Sequence, residues 1–426
     1  MQTYDVLVVG AGAAGLIAAL ELALAGRKVA VLEAGEKAGG RMKTIYSAQG
    51  VPIELGAEFV HGNLPITKEL AQKAAILMYE VKGSIWQHKD GKLQKQEDFI
   101  EDYPVLQKKW KDLLHDISVK EFLENHLAGD EYEELRFSLQ NYVEGYYAAD
   151  ISKASLFAMR EELTEGDEEQ YRLEGGYAEL VGYLERECKK KGVEFFFGQP
   201  VLQLHWQAGT VEAVTTSASF SAAKALVTVS IGVLQKEGIN FSPSLGKKAE
   251  AAKMLGYGHV VKTNFVFEKA FWKEKEHTDN NDLSKLNFLF SEETIPTWWT
   301  RQPKDLPLLT GWLGGPKAEA LSSLDEDSLL AKGLLSLGAI FGKDAIFLHQ
   351  LLQEKHLYNW SADPYFEGAY SYAVINGEAY MKEILQPVDN TLYFAGEGLH
   401  NGPEIGTVEA ALQSGRAVAQ ELIAAS

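Results

Sequence analysis

Residues 4–33 of the chain read YDVLVVGAGAAGLIAALELALAGRKVAVLE, and the fold class can be predicted from this segment. An apolar run typical of a β-strand leads into the loop GAGAAG at residues 10–15. An alanine-rich helical stretch follows over residues 16–25 and stops at Gly26, and a second apolar run ends on Glu33. The order of strand, glycine loop, helix, strand and acid predicts a βαβ unit in a parallel sheet.

Each part of this unit has a physical role in binding a dinucleotide. Gly10 allows a tight turn, Gly12 lets the backbone approach a pyrophosphate, and Gly15 lets the helix pack on the strand. The N–H groups and the dipole at the start of the helix favour phosphate. Glu33 follows the second strand, where a carboxylate accepts hydrogen bonds from a ribose diol. The sequence therefore predicts a dinucleotide site on this loop.

Length and charge limit the classes of function. A chain of 426 residues is too long for one simple core, so we expect at least two domains. The net charge of −19 argues against a nucleic-acid partner, because neutralising phosphates requires a basic surface. The charge is compatible with attraction of a cationic small molecule, although most charge of this kind is solvated surface.

Cysteine and histidine usage argues against a metal site. Cys188, the one cysteine, shares a helical face with Tyr177, Leu180, Val181 and Leu184, so we expect it in the core. The ten histidines lack paired-ligand spacing, so we expect no metal.

The chain begins directly with its first strand, and no apolar run has membrane-spanning length. We therefore expect a cytoplasmic protein without a membrane partner.

The composition changes along the chain in a way that indicates alternating domains. Residues 80–171 are charged, aromatic and helix-prone, and the segment 161–170 is predicted to be an acidic loop. Residues 172–246 return to an α/β pattern with a small meander, and longer β runs follow, with a polar loop over residues 273–285 between them. The tail from Thr391 has the pattern strand, loop, helix.

Further motifs follow the opening loop in a fixed order along the whole chain. They are Gly39-Gly40-Arg41, Leu55-Gly56-Ala57-Glu58, Glu174-Gly175-Gly176-Tyr177, Tyr257-Gly-His-Val-Val-Lys262, Trp360-Ser-Ala-Asp363-Pro364-Tyr365, Ala369-Tyr370-Ser371-Tyr372, Phe394-Ala-Gly396-Glu397 and Gly406-Thr407-Val408-Glu409. Together these motifs resemble those of the FAD-dependent amine oxidase family, which includes monoamine oxidases, polyamine oxidases and lysine-specific histone demethylases. The resemblance makes the expected cofactor FAD rather than NAD.

The resemblance implies a mixed α/β fold in which a Rossmann-like FAD domain is built from discontinuous segments. We assign residues 1–80, 172–246 and 386–426 to this domain. Residues 81–171 and 247–385 then form the substrate domain, a mixed sheet flanked by helices. The family also implies FAD contacts, and we carry these over to Gly10, Gly12, Ala13, Ala14, Gly15, Glu33, Ala34, Gly40, Arg41, Leu55, Gly56, Ala57, Glu58, Val201, Trp360, Gly396, Glu397, Thr407 and Val408.

Lys262 is the predicted catalytic residue. It stands among apolar neighbours in a strand-like run, where a buried ammonium needs a partner or loses its proton more easily. The matching lysine of the family holds a water against flavin N5 and is implicated in flavin reoxidation or in handling the imine product. Without the resemblance, the alternative is an edge-strand lysine that reaches solvent.

The tail predicts a helix that starts near Thr407, a plausible N-cap. The family places this helix N-terminus at the pyrimidine end of the isoalloxazine, where its dipole stabilises negative charge near N1. Glu397 matches the family acid near the ribityl and pyrophosphate groups; the alternative is a capping or loop carboxylate. Trp360 and Tyr365 are expected to pack on the flavin or line the cavity, with ordinary core packing as the alternative.

Three positions bear on the substrate. Tyr370 and Thr407 match the positions that flank the amine, and monoamine oxidases carry tyrosine at both, so Thr407 weakens that assignment. His61 falls where animal-type polyamine oxidases carry a histidine near the substrate, and the alternative is a structural histidine. Ala369 stands where family members with covalent FAD carry cysteine, so we expect noncovalent FAD.

The sequence therefore predicts an amine oxidase most similar to the polyamine branch. The resemblance implies that hydride passes to FAD N5, that water hydrolyses the imine to an aldehyde and an amine, and that O2 reoxidises the flavin to give hydrogen peroxide. The expected partners are a cationic amine and O2, and the chain is a monomer or homodimer. The alternatives are a monoamine or alkaloid oxidase, a desaturase, an amino-acid oxidase and a demethylase scaffold. Lys262 disfavours a desaturase, and the local sequence lacks the arginine that an amino-acid oxidase uses to bind the substrate carboxylate. A demethylase needs a helical insertion.

Overall fold

In a computed structural model of the chain, residues 3–62, 64–165, 169–278 and 281–425 are described, apart from the side chains of His61, Glu165 and His277. The strands of these residues are β1 (Thr3–Val9), β2 (Val29–Leu32), β3 (Thr44–Tyr46), β4 (Pro52–Glu54), β5 (Val60–His61), β6 (Met78–Glu80), β7 (Ser84–Lys89), β8 (Lys92–Gln96), β9 (Gln170–Leu173), β10 (Glu194–Phe196), β11 (Val201–Gln207), β12 (Thr210–Thr215), β13 (Ser219–Val227), β14 (Asn240–Ser242), β15 (Gly256–Tyr257), β16 (Val260–Phe267), β17 (Leu286–Ser291), β18 (Thr297–Trp299), β19 (Leu308–Gly314), β20 (Leu352–Asn359), β21 (Ser371–Tyr372) and β22 (Leu392–Phe394).

The helices of the same residues are α1 (Ala13–Leu24), α2 (Pro65–Lys73), α3 (Tyr103–Trp110), α4 (Val119–His126), α5 (Glu133–Gly145), α6 (Leu156–Glu165), α7 (Tyr177–Lys190), α8 (Ile231–Gln235), α9 (Lys247–Lys253), α10 (Gly315–Ala320), α11 (Glu326–Phe341), α12 (Ala345–Leu351), α13 (Gly377–Leu385) and α14 (Val408–Ala424). Among these helices, none combines the length and the apolar character needed to cross a membrane.

The first large sheet has the strand order β10-β2-β1-β13-β12-β11-β14. The pairs β10–β2, β2–β1 and β1–β13 are parallel, and β11, β12 and β13 form the predicted antiparallel meander. The long strand β13 pairs with β12 along its first part and in parallel with β22 along its second part. The predicted βαβ unit and the tail strand thus lie in one sheet.

Strand β1 is buried on both faces, which explains its continuous apolar run. Val6 and Val8 pack in a cluster with residues of α1, α7 and α14. Leu7 and Val9 point to the other face, where the cluster includes residues of α8, α9 and α13. Cys188 lies in the first cluster and is fully buried, as predicted from its helical face.

The second large sheet has the order β20-β16-β19-β18-β17-β7-β8 and is antiparallel except for the β7–β17 pair. Strand β16 pairs on both sides, with β19 and with β20, so Lys262 is not on an edge strand. Alternation along β16 points Val261 and Phe265 into the cluster under α11, and it points Lys262 to the opposite face.

Helices α3 to α6 follow β8 in the chain and precede β9. Their apolar side chains form a separate cluster. One prediction here was wrong: residues 161–165 are not loop but the second half of α6. Leu156 and Met159 are buried on one face of this helix, and the hydroxyl of Ser155 accepts a hydrogen bond from the N–H of Ala158. Glutamates are good helix formers, so the run of acids continues the helix instead of ending it.

The segments of the two large sheets alternate along the chain. The first sheet draws its strands from residues 3–32, 194–242 and 392–394, and the second from residues 84–96 and 260–359. The predicted mixed α/β architecture is confirmed. The exact division into two domains stays a prediction.

Candidate active site

A cavity of about 680 Å³ connects the two large sheets. Its wall includes the loop after β1, the end of β2, one face of β16 and the start of α14, so distant parts of the chain meet there. The volume lies in the range of pockets that hold a small molecule or a cofactor.

The loop between β1 and α1 forms one part of the wall. Gly10 has a φ of +106°, and a Cβ there would lie 2.8 Å from the hydroxyl oxygen of Thr228. A Cβ on Gly15 would lie 2.0 Å from the carbonyl oxygen of Gly10, so both positions require glycine. Gly12 faces open space and lines the cavity with Ala13, whereas Gly15 does not belong to the wall.

The N-terminus of α1 opens onto this space. Gly12 is the N-cap, no side-chain cap bond is formed, and the first turn carries no acid. The first N–H groups of a helix have no partner inside the helix, so they are oriented toward the cavity as an anion site. Ala14 and Ala34 line the same region, as does Val201.

Glu33 is fixed beside this loop. One carboxylate oxygen accepts a hydrogen bond of 2.7 Å from the N–H of Ala11, and the other accepts one of 2.8 Å from the N–H of Gly35. Burial raises the pKa of Glu33, and the backbone N–H groups oppose that shift. The carboxyl therefore lines the cavity in a held orientation at the end of β2.

Arg41 joins the first segment of the chain to its tail. Its guanidinium lies 2.5 Å from the carboxylate of Glu397 and donates a 2.8 Å hydrogen bond to the carbonyl of Ala369. The same carboxylate accepts a hydrogen bond from the N–H of Ser371. Glu397 is thus an ion-paired carboxylate and not a helix cap. Gly40, Arg41, Gly396 and Glu397 all line the cavity.

Helix α14 brings a second helix N-terminus to the cavity. The hydroxyl oxygen of Thr407 accepts a 3.1 Å hydrogen bond from the N–H of Ala410, which confirms the predicted N-cap. A Cβ on Gly415 would lie 2.3 Å from the carbonyl oxygen of Ala14, so α14 crosses α1 at very close range. Thr407 and Val408 line the cavity.

Lys262 is completely buried in the wall of the cavity. Its Nζ lies 2.8 Å from Oε2 of Glu58 and donates a 3.0 Å hydrogen bond to the carbonyl of Gly56. Burial lowers the pKa of Lys262, and the carboxylate of Glu58 partly offsets that shift. Two of the three N–H donors of the ammonium are occupied, so one is left for another partner.

Glu58 contacts three cations, Lys262 through Oε2 and two arginines through Oε1. Its Oε1 accepts from Arg172 at 2.9 Å, from Arg301 at 2.8 Å and from the indole N–H of Trp299 at 3.1 Å. Burial opposes ionisation, but Lys262, Arg301 and Arg172 outweigh it and hold the pKa of Glu58 well below its usual range. We call these four charged residues the Glu58 cluster.

Of the four residues of the motif Leu55-Gly56-Ala57-Glu58, three line the cavity and one lies behind its wall. Gly56 and Ala57 line the cavity, as predicted positions for cofactor contact. Leu55 does not belong to the wall and packs with Leu308. Its carbonyl accepts a 2.9 Å hydrogen bond from the indole N–H of Trp360, which does line the cavity.

Aromatic rings surround the Lys262 ammonium. Its Nζ lies 5.4 Å from the ring centroid of Trp299 and 5.9 Å from that of Trp312. Tyr370 stacks on Trp312 with centroids 6.3 Å apart and an interplanar angle of 27°. The Tyr370 hydroxyl donates to the carbonyl of Tyr146 at 2.6 Å. This part of the wall is therefore mainly aromatic.

Two further expectations have different outcomes. The backbone of His61 pairs with Gln170, but its side chain lies outside the described part of the structure, so its proposed contact stays a prediction. Tyr365 lines the cavity while remaining 45% exposed.

Residues of the wall and residues that support it from behind were not predicted from the sequence. Trp312 is the cross-strand partner of Lys262, and this register was not visible in the sequence. Arg172 and Arg301 are brought to Glu58 by strands that are distant in the chain. Glu162 was assigned to a loop, yet it lines the cavity from α6. The paired tryptophans at 298 and 299 were the one available signal, since aromatic residues in apolar runs favour a wall or a core.

Comparisons with known proteins agree with this geometry. The family described as flavin-containing amine oxidoreductase matches residues 13–128 and 84–423. Lysine-specific histone demethylase 1 homolog 2 from Oryza sativa subsp. japonica is 29% identical, over 99% of this chain and 57% of that protein. Polyamine oxidase 3 from the same organism is 27% identical, over 99% of this chain and 89% of that protein. The chain spans about half the length of the demethylase relatives.

A solved structure of putrescine oxidase bound to putrescine has a similar fold. Its TM-score is 0.80 at 20% sequence identity, and the match covers 99% of both chains. At this identity the likeness bears on the fold alone, which agrees with the arrangement of the two large sheets around the cavity.

Proposed function

The chain belongs to the flavin-containing amine oxidoreductase family, and we propose that it oxidises a di- or polyamine with O2 as electron acceptor. It is an FAD-dependent amine oxidoreductase. The observation that carries the finer proposal is the position of Lys262, which lies in the wall of the same cavity as the dinucleotide loop. The polyamine oxidase relative, which matches nearly the full length of both chains, supports the substrate class.

The residues of the cavity fit FAD. The open space at Gly12 and the uncapped start of α1 suit a pyrophosphate, and Glu33 suits the ribose diol. The N-terminus of α14 at Thr407 would hold the flavin ring where negative charge develops. Ala369 offers no thiol at the family's attachment position, so we propose noncovalent binding.

When bound, FAD would supply the two-electron chemistry that converts the amine to an imine, with O2 as the electron acceptor and hydrogen peroxide as its product. The resulting imine adds water and separates into an aldehyde and an amine. The aromatic wall of Trp299, Trp312 and Tyr370 orients the amine and keeps the site dry. The remaining N–H donor of Lys262 is available to hold a water molecule in the cavity.

The Glu58 cluster gives Lys262 a fixed position. A buried lysine with one weak partner would move or lose its proton, whereas two hydrogen bonds to Glu58 and Gly56 define the direction of its third N–H. Arg172 and Arg301 in turn hold the Glu58 carboxylate from its other oxygen. The chain thus orients one donor toward the reacting region.

Anaerobic mixing of the purified yellow protein with a panel of amines tests this function. The panel contains 1,4-diaminobutane, spermidine, n-butylamine, benzylamine and a peptide with an N-methylated lysine. We expect the diamine or spermidine to bleach the flavin fastest, with hydrogen peroxide released when air is admitted. Bleaching by benzylamine alone supports a monoamine oxidase, and bleaching by the peptide alone supports a demethylase. Absence of bleaching by every amine overturns the proposal.

A further inference from the structure

A second, half-buried carboxyl in the cavity differs from Glu58 in its surroundings. Glu162 lies on α6 and lines the main cavity, and it also lines a second cavity of about 340 Å³. Tyr147 and Ile405 are shared by the two cavities as well. Glu162 therefore stands where the two spaces meet, in reach of a bound molecule.

No lysine or arginine of the described residues pairs with Glu162. The charged neighbour that acts on it is Glu404, another acid, whose carboxylate lies 3.2 Å from Nε2 of His400. Burial raises the pKa of Glu162 to about 8, the Tyr147 hydroxyl opposes that shift, and Glu404 adds to it. A desolvated carboxyl without a cation is unfavourable in its charged form, which agrees with the raised pKa of Glu162.

A buried tyrosine hydroxyl lies beside this carboxyl and acts on its pKa. The Oη atom of Tyr147 is buried and has no hydrogen-bond partner with acceptable geometry among the described residues. Buried polar groups are nearly always paired, and the lone pairs of this hydroxyl have capacity to accept a hydrogen bond from a bound molecule. Glu162 and Tyr147 together present acceptor oxygens to one space, the arrangement that an ammonium group with three N–H donors requires.

We propose that Glu162 binds the second, non-reacting ammonium group of a diamine or polyamine substrate, with the Tyr147 hydroxyl as an additional acceptor. This inference rests on the proposed function and deepens it by naming a specificity residue. Tyr370 lies within electrostatic range of Glu162, which places the carboxyl in the same region as the aromatic wall around the reacting amine. An amine with one nitrogen leaves the carboxyl without a partner, so it binds more weakly.

Steady-state kinetics with a matched substrate pair test the assignment. 1,4-Diaminobutane and n-butylamine have the same carbon chain and differ only in the second ammonium. Glu162→Gln should raise KM for the diamine by roughly 30-fold or more, the loss expected when one partner of a buried charge pair is removed. The kcat for the diamine and both constants for n-butylamine should change little, because the reacting end is untouched.

Two controls separate a specificity role from a structural one. Glu124→Gln removes the same charge from an exposed position on α4 and should leave the preference for the diamine unchanged. Glu162→Asp keeps the charge and should recover part of the lost affinity. Equal losses for both substrates, or no loss for the diamine, overturn the inference while leaving amine oxidation intact. If wild-type protein oxidises no amine, the proposed function itself is wrong.

The pH profile gives an independent readout. The groups that act on Glu162 or respond to it are Tyr142, Tyr146, Tyr147, Tyr370 and Glu404. With Glu162 titrating near pH 8, KM for the diamine relative to n-butylamine should fall as pH rises from 6 to 9. The Glu162→Gln variant should lose that trend, and a trend that persists in the variant contradicts the assignment.

Discussion

Two carboxyls of one cavity, the buried Glu58 and the half-buried Glu162, have opposite electrostatic surroundings. Glu58 contacts three cations of the chain and stays ionised far below its usual pKa. Glu162 has an acid as its charged neighbour, and burial raises its pKa to about 8. Cations of the chain itself neutralise Glu58, whereas the proposed cation for Glu162 is the ammonium group of a bound substrate.

The difference separates a part of the cavity that positions groups from a part that selects the substrate. A charge cluster closed by the chain cannot distinguish ligands, but it can hold Lys262 in one orientation. A carboxyl without a counter-ion strengthens the binding of a ligand only if that ligand carries a cation.

Removal of Lys262 should give the largest change in reaction rate. Lys262→Met takes away the oriented N–H donor while Glu58 keeps both arginines, so the protein should fold and bind FAD. We expect flavin reoxidation or turnover to slow by about 100-fold or more, a typical loss for one positioned donor. Stopped-flow mixing of the reduced enzyme with O2 and steady-state turnover measure it. Lys304→Met, at an exposed pair with Glu174, is the control, and wild-type kinetics in Lys262→Met would refute the role.

Loss of the Glu58 charge should have the largest effect on folding. Glu58→Gln leaves three buried cations without their carboxylate, which costs about 3–5 kcal/mol of unfolding free energy for a broken buried pair. Thermal and denaturant unfolding of the FAD-loaded protein measure the change. Glu174→Gln breaks an exposed pair with Lys304 and should cost less than about 1 kcal/mol. Equal stability of the two variants would mean that the cluster contributes nothing.

Neutralisation of Glu162 should instead stabilise the protein in alkaline solution. Because the pKa of this carboxyl rises from 4.5 to about 8, the folded state keeps a proton that the unfolded chain loses in that window. Its contribution to stability therefore falls as pH rises from about 4.5 to 8. Glu162→Gln should raise Tm at pH 9 by a few degrees and change it little at pH 5. A lower Tm at pH 9 would show that the charged form is already satisfied.

The smallest predicted effect concerns the cap of α14. Thr407→Ala removes the acceptor for the N–H of Ala410 and should cost about 1 kcal/mol of unfolding free energy. Thr407→Ser keeps the hydroxyl and should retain most of the stability, as measured by denaturant unfolding. A full loss in the serine variant would place the effect on the threonine methyl group instead.

The parts of the molecule that were predictable from the sequence are local in the chain. The βαβ unit needs only residues 3–33, where apolar runs, glycines and an acid lie within one short segment. The buried face of α7 with Cys188 and the cap of α14 at Thr407 follow from spacing within single helices. These features depend on periodicity and capping, which one sequence contains in full.

The parts that escaped prediction depend on contacts between distant segments. The Glu58 cluster combines residues 58, 172, 262 and 301, and nothing in their spacing indicates that they meet. Trp312 reaches Lys262 only through the register of β16 and β19. Glu162 was misplaced because a run of acids resembles a solvated loop, whereas the buried apolar face of α6 carries it into the cavity wall.

Anaerobic reduction of wild-type and Glu162→Gln protein over a range of 1,4-diaminobutane concentrations tests the contrast between the two carboxyls most directly. The limiting rate reports on the region of Lys262, and the half-saturating concentration reports on Glu162. We predict the same limiting rate in both proteins, with half-saturation shifted to a roughly 30-fold or higher concentration in the variant. An unchanged half-saturating concentration, or a wild-type flavin that the diamine does not reduce, would contradict the account.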